Sequence, residues 1–168
     1  MGRFHYKESV GDDLFRRSIY AFWRRSVAPT AFFDASKRRT CQVRTIRTNT
    51  PLHALTLLND KSVLASSYHL AKLTLNRPSD DSDRIRWLCR QILSRTPTDR
   101  EVAVVKGELQ GLRTYYQNEA LEAENLLVPL EPLTVGGAPR PDVPASELAA
   151  WLLTASTLLN LDEAQTRE

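Results

Sequence analysis

Cysteine is scarce in this sequence, and its scarcity excludes a fold held together by disulfide bonds. The 168 residues contain two cysteines, Cys41 and Cys89, which are too few and too far apart for a disulfide framework. They can form one bridge or remain two separate buried thiols, and both alternatives stay open. Neither cysteine belongs to a CxxC pair or to a CxxCH motif, so we expect no haem and no other cofactor on this chain.

A long hydrophobic run is also missing. The first 30 residues lack the apolar core of a signal peptide. The longest uncharged stretch of apolar character, Leu148 to Leu161, has 14 residues, whereas a helix that spans a bilayer needs about 20. Glu147 and Asp162 flank this stretch. We therefore expect no transmembrane segment and interpret the stretch as a buried helix.

Residues suited to metal binding or catalysis are few and widely separated. Catalytic zinc usually takes two ligands from one helix at i,i+4 spacing or from a tight turn. No two of the three histidines and two cysteines share such spacing, so we predict no metal site. No nucleophile elbow is present either. The catalytic residues, if the protein is an enzyme, are unknown from the sequence.

What the sequence does contain is an asymmetric distribution of charge. Residues 1–50 hold 11 Lys and Arg against 4 Asp and Glu, a net charge of +7, whereas residues 51–168 hold 12 against 16, a net charge of −4. The basic third can form a surface for acidic partners. It can also dock onto the acidic remainder of the same fold. We favour the second interpretation because aromatic residues lie among the arginines.

The hydrophobic pattern predicts an all-α fold, an irregular multi-helix bundle of roughly six helices in a single unit over residues 1–168. A first helix begins at Asp12-Asp13 and ends before Pro29. Residues 29–50 lack a helical period and are predicted to form a long ordered basic loop. Residues 129–144 hold five of the nine prolines and a Gly-Gly pair, and they predict a mobile surface loop.

Local signals set the boundaries of the later helices. Thr50 and Pro51 predict a helix start, and Asn59-Asp60 predicts its end and a cap for the next helix. Thr98 and the glutamate three residues later predict a capping box. The buried face of the short helix is predicted to consist of Leu52, Leu55 and either Leu58 or Leu57. Further helices are predicted at Asp83–Ser94, Asp99–Asn125 and Glu147–Leu161. Gly107 and Gly111 either weaken the second of these helices by about 1 kcal/mol each or admit a close helix crossing.

Three stretches carry a resemblance to a known family. The first is DDLFRRSIYAFWRRSVAPTAFFDASKRRTCQVRTIRTNTPLHALTLLND, in which RTNTPLHAL is the most specific part. The second is IRWLCRQILSRTPTDREV, and the third is AAWLLTASTLLNLDEAQTRE. Together they resemble the planctomycete-specific domain of unknown function found in planctomycete-type cytochrome c proteins.

The resemblance implies that this chain is the C-terminal portion of a larger domain. Members of that family are long exported proteins that often carry a separate N-terminal cytochrome c module. The resemblance therefore implies an exported or periplasmic location, although a chain expressed as it stands, without a signal peptide, would stay in the cytoplasm. It also implies that the partner is the upstream portion of the same domain or another protein domain.

One candidate site lies around the start of the short helix. Arg44, Arg47, Asn49, Thr50 and His53 could hold an anionic ligand, because free backbone N–H groups, the helix dipole and two guanidinium groups meet there. In the alternative, the two arginines pair with carboxylates of the same fold and with loop carbonyl groups. We favour this alternative, since the proline at the helix start removes one donor.

Three functions follow from these observations. The first is a structural or interaction module of a larger exported, redox-linked protein. The second is part of an enzyme or binding site for an acidic or sulfated glycan, in which Arg44 and Arg47 recognise the anion. The third is nucleic-acid binding through the basic N-terminal third, which the acidic remainder and the absence of a known binding motif make the weakest.

Overall fold

Helices form all the regular secondary structure in the part of the chain that the structure describes. The computed structural model describes residues 51–133 and 138–165. The elements are α1 (Pro51–Asn59), α2 (Lys61–Leu75), α3 (Asp81–Leu93), α4 (Asp99–Asn118), α5 (Ala120–Leu127), a 3-10 helix (Glu131–Leu133), α6 (Ala145–Leu159) and α7 (Asp162–Gln165). The prediction of an all-α fold is confirmed. The predicted first helix and the basic loop lie outside the described residues.

Short-range caps fix the helix starts, as the sequence predicts. The Asp60 carboxylate accepts hydrogen bonds from the backbone N–H of Ser62 at 2.8 Å and of Val63 at 3.2 Å. At the start of α4, the N–H of Glu101 donates to the Thr98 hydroxyl at 3.3 Å, and the N–H of Thr98 donates to the Glu101 carboxylate at 2.7 Å. Each such cap contributes about 1 kcal/mol to helix stability.

Helix α6 lies at the centre of the fold. It packs against α2, α4 and α5 and has further contacts with α3 and α7. Its buried apolar residues are Leu148, Ala149, Ala150, Trp151, Leu152, Ala155 and Leu158. The interpretation of this stretch as a buried helix is therefore confirmed. Across the described ranges, no helix has both the length and the apolar character needed to cross a membrane.

Three predicted helices need corrected boundaries. Helix α3 begins at Asp81 rather than Asp83, because Asp80 is the cap and its carboxylate accepts from the N–H of Asp83 at 3.0 Å, and it ends at Leu93 with Ser94 as its C-cap. Helix α6 begins at Ala145 and ends at Leu159, in each case two residues before the predicted boundary. The predicted single helix to residue 125 is divided at Glu119, whose backbone leaves the helical region. Beyond this break, α5 buries Ala123 and Leu127.

The two glycines of α4 do not mark a helix crossing. A β-carbon added at Gly107 or Gly111 would meet no atom within 4 Å, so both face open space. Helix α4 instead buries Val102, Leu109 and Tyr116 on another face. The predicted close crossing is therefore wrong.

Most of the proline-rich segment at residues 129–144 is described, as residues 129–133 and 138–144. Leu130 is buried in the main core, and Arg140 forms an ion pair with Glu131 at 2.7 Å. The side-chain amide of Asn76, just beyond α2, donates to the Pro139 carbonyl at 3.0 Å. These contacts attach both described parts of the segment to the body, and its mobility stays a prediction.

Candidate functional site

The predicted anion site lies mainly in the N-terminal third. Arg44, Arg47, Asn49 and Thr50 are outside the described residues. The remaining member, His53, is in the first turn of α1 and is buried. The first turn of α1 holds no acidic side chain, and its last turn holds no basic one. Helix α1 therefore has no charged side chain of its own to compensate its dipole.

The predicted buried face of α1 is wrong at Leu55 and right at Leu57, which was one of two alternatives. Leu55 and Leu58 are 57% and 42% exposed, whereas Leu57 and His53, four residues apart, are buried. Six of the nine positions of α1 are apolar, so the periodicity does not define a single buried face. Leu55 and Leu58 form what we call the α1 face.

A half-buried ion cluster connects α3, α4 and α6. One guanidinium nitrogen of Arg113 lies 2.5 Å from the Asp81 carboxylate, and another lies 2.5 Å from the Glu147 carboxylate. Glu147 also accepts a hydrogen bond from the indole N–H of Trp151 at 2.9 Å. Hydrogen bonds from Arg113 lower the pKa of Asp81, and the two carboxylates raise the pKa of Arg113. The Arg113 cluster thus fixes the starts of two helices against α4.

A second ion cluster lies closer to the surface and attaches α7. Arg95 donates to Glu163 at 2.5 Å and to Glu101 at 2.6 Å. Hydrogen bonds from Arg95 and then from Thr98 lower the pKa of Glu101 to about 2. The same glutamate therefore serves the capping box of α4 and the ion cluster.

The sequence analysis missed both clusters, since each contains at least one partner that is more than 30 residues away along the chain. It also missed Lys72, which is buried although lysines rarely are. The Lys72 ammonium lies 4.9 Å from the centre of the Tyr68 ring. Burial lowers the pKa of Lys72 and raises the pKa of Tyr68. The available signal was the i,i+4 spacing of Tyr68 and Lys72 on the apolar side of α2.

The remaining chemistry-bearing groups do not form a reactive centre in the described part of the chain. Cys89 is a free, buried thiol whose pKa is raised by burial. A thiol in this state is a poor nucleophile, because the thiolate is the reactive form. Within the described ranges, no group of three or more His, Cys, Asp or Glu side chains could hold a metal ion.

Comparison with known proteins identifies one family. The model of the family described as PSD1, protein of unknown function (DUF1553), matches residues 3–109. No curated protein matches the chain, and no solved structure does.

Proposed function

The chain belongs to the PSD1 family of proteins of unknown function, and we propose that it acts as a structural or interaction module. The observation that carries this proposal is the α1 face. A nine-residue helix without a charged side chain exposes Leu55 and Leu58 inside the region that the family model matches. Exposed leucines on an otherwise apolar helix are typical of a surface that another protein segment covers.

The charged groups of the body support this proposal, because many of them serve the fold. Arg113 and Arg95 each join two carboxylates from separate helices. Arg84 donates to the backbone carbonyl groups of Leu75 and Arg77, which satisfies the C-terminal end of α2. These contacts give the body a rigid set of helices from which α1 can present its leucines.

We place this module in a larger exported protein with a link to redox chemistry. The resemblance to proteins that carry cytochrome c modules supports this placement. The occupant of the α1 face would then be the upstream portion of the same domain or another domain of an exported protein. No cofactor on this chain is required for such a role.

Site-specific photo-crosslinking in cells of the source organism tests the proposal. A photoreactive amino acid at position 55 should crosslink to one defined protein domain. The matched control is position 104, since Val104 is 65% exposed on α4 but lies on a different helix. A crosslinking pattern from position 55 that is no different from the pattern at position 104 would contradict an interaction through the α1 face.

An anion site at the start of α1 is the second candidate function, as part of an enzyme or binding site for an acidic or sulfated glycan. The absence of acidic residues in the first turn of α1 favours it, because no carboxylate of that turn competes with an anion for the N-terminal end of the dipole. Arg44, Arg47, Asn49, Thr50 and His53 remain the residues assigned to it.

Thermal melting with added sulfate or sulfated oligosaccharide tests this second candidate. We expect a dose-dependent rise of Tm that Arg47→Ala removes and Arg100→Ala, at an exposed position of α4, does not. An unchanged Tm at millimolar ligand would refute the anion site. Steeply salt-dependent retention on DNA, beyond that of a control protein of equal charge, would instead favour nucleic-acid binding.

A further inference from the structure

The outer side of α5 combines exposed apolar residues with negative charge. Leu121 and Val128 are 76% and 58% exposed. They are seven residues apart, which is about two helical turns, and therefore lie on the same side of the helix. The opposite side of α5 is buried through Ala123 and Leu127. Leu121 and Val128, the C-cap of α5, thus both face away from the contact with the core.

Carboxylates flank these apolar side chains. Glu119, Glu122 and Glu124 are all exposed, and no ion pair joins any of them to another described residue. The sequence from residue 114 to residue 139 contains no Lys or Arg at all. The negative charge of this region is therefore not neutralised by its own segment, in contrast to the clusters around Arg113 and Arg95.

An ordered aromatic side chain extends the same surface. Tyr115, at the end of α4, is exposed, and its hydroxyl donates a hydrogen bond to the Glu122 carboxylate. Its ring meets the buried ring of Tyr116 edge to face, with centroids 5.1 Å apart. Contacts within the chain therefore hold Tyr115 in place, and no second protein is needed to order it. We call Tyr115, Leu121, Val128 and the three glutamates the α5 face.

We propose that the α5 face is a docking surface for a basic amphipathic helix of a partner protein. Leu121, Val128 and Tyr115 would contact the apolar side of that helix, and the glutamates would pair with Lys or Arg at its edges. A helix with an apolar side and basic edges is complementary to the α5 face, which has apolar residues at its centre and glutamates at its edges. The α5 face lies outside the residues matched by the family model, whereas the α1 face lies inside them.

A peptide titration on the full-length chain tests this proposal. The probe is a synthetic amphipathic helix made of leucine and arginine, and a peptide of the same composition in scrambled order is its control. Fluorescence anisotropy should show binding that weakens steeply with salt. Leu121→Ser should raise the Kd about tenfold, as expected for loss of one buried leucine contact. The double change Glu119→Gln with Glu124→Gln should raise the Kd and flatten its salt dependence.

Controls separate this surface from general charge effects and from the α1 face. Asp142→Asn, at another exposed carboxylate, should leave the Kd unchanged, and so should Leu55→Ser. Absence of peptide binding, or equal weakening by Asp142→Asn, would overturn the proposal. A chain in which Arg16, Arg17, Arg24 and Arg25 are replaced by Glu is titrated in parallel. If the peptide bound this variant but not the unchanged protein, the protein's own basic segment would occupy the α5 face. That result would overturn the assignment to a partner.

Discussion

Arg113 and Arg95 hold the same number of carboxylates but at different depths in the molecule. The Arg113 side chain is 17% exposed and the Arg95 side chain is 39% exposed. Arg113 joins two helix starts beside the buried ring of Trp151, whereas Arg95 joins a capping box to the terminal helix. We therefore expect the two clusters to contribute differently to stability although they contain the same number of ion pairs, because water can solvate a carboxylate that has lost its partner only near the surface.

Removal of Arg113 should give the largest loss of stability. Arg113→Met leaves the Asp81 and Glu147 carboxylates half-buried without their cation, and we expect the free energy of unfolding to fall by about 2 to 3 kcal/mol. Urea denaturation measures this loss. Neutralising both acids in the same variant, through Asp81→Asn and Glu147→Gln, should recover part of it. A cost no larger than that of Arg95→Met would refute the proposed difference between the clusters.

Lowering the pH should reduce the contribution of both ion clusters to stability. Their arginines lower the folded-state pKa of Asp81 and hold that of Glu101 at about 2. A carboxyl with a lowered folded-state pKa stabilises the fold above its unfolded-state pKa, near 4.5 for Glu101, and loses that contribution as the pH falls through the folded-state value. We therefore expect stability to decrease from about pH 4.5 towards pH 2. In Arg113→Met, the part of this pH-dependent loss of stability that is due to Asp81 should disappear. Urea midpoints measured at several pH values would show this.

Removal of Arg95 should have a smaller effect than removal of Arg113. Water can solvate Glu101 and Glu163 when their partner is lost, and Glu101 keeps its hydrogen bonds with Thr98. The loss caused by Arg95→Met should also shrink in high salt, because exposed ion pairs are screened. The same urea experiment at low and high NaCl measures it. A loss that does not depend on salt would indicate that the Arg95 cluster is less hydrated than its exposure implies.

The smallest expected change is a gain at Gly107, which lies on α4 between Glu101 and Arg113. An alanine there meets no neighbouring atom, so Gly107→Ala should raise the free energy of unfolding by about 0.5 to 1 kcal/mol through helix propensity alone. Combined with Arg113→Met, the two effects should add, since the residues share no partner. Non-additive urea midpoints would show that α4 transmits strain between the clusters.

The features that the sequence predicted depend on residues close together in the chain. The Asp60 cap and the Thr98 capping box each involve positions two or three residues apart. The buried state of α6 follows from its long apolar stretch. In such cases the same few side chains determine the structure in any tertiary context.

The features that the sequence did not predict depend on distant partners. Arg113 contacts carboxylates that lie 32 and 34 residues away, and neither separation follows from a helical period. The break at Glu119 escaped prediction because no glycine or proline lies between residues 112 and 128 to mark it. The packing of Ala123 against Ala149 of α6 is a distant contact that neighbouring residues do not reveal. The exposure of Leu55 likewise depends on which face of a largely apolar helix meets the body.

The central position of α6 has a consequence for the synthesis of the protein. Helices α2, α4 and α5 leave the ribosome before the helix around which they pack. Their apolar sides therefore stay uncovered until residues 145–159 emerge, and during that interval the nascent chain is open to chaperones and to misassembly. A gene fragment designed to the limits of the family match would end at residue 109 and would encode α2 and α3 without the helix that completes their core.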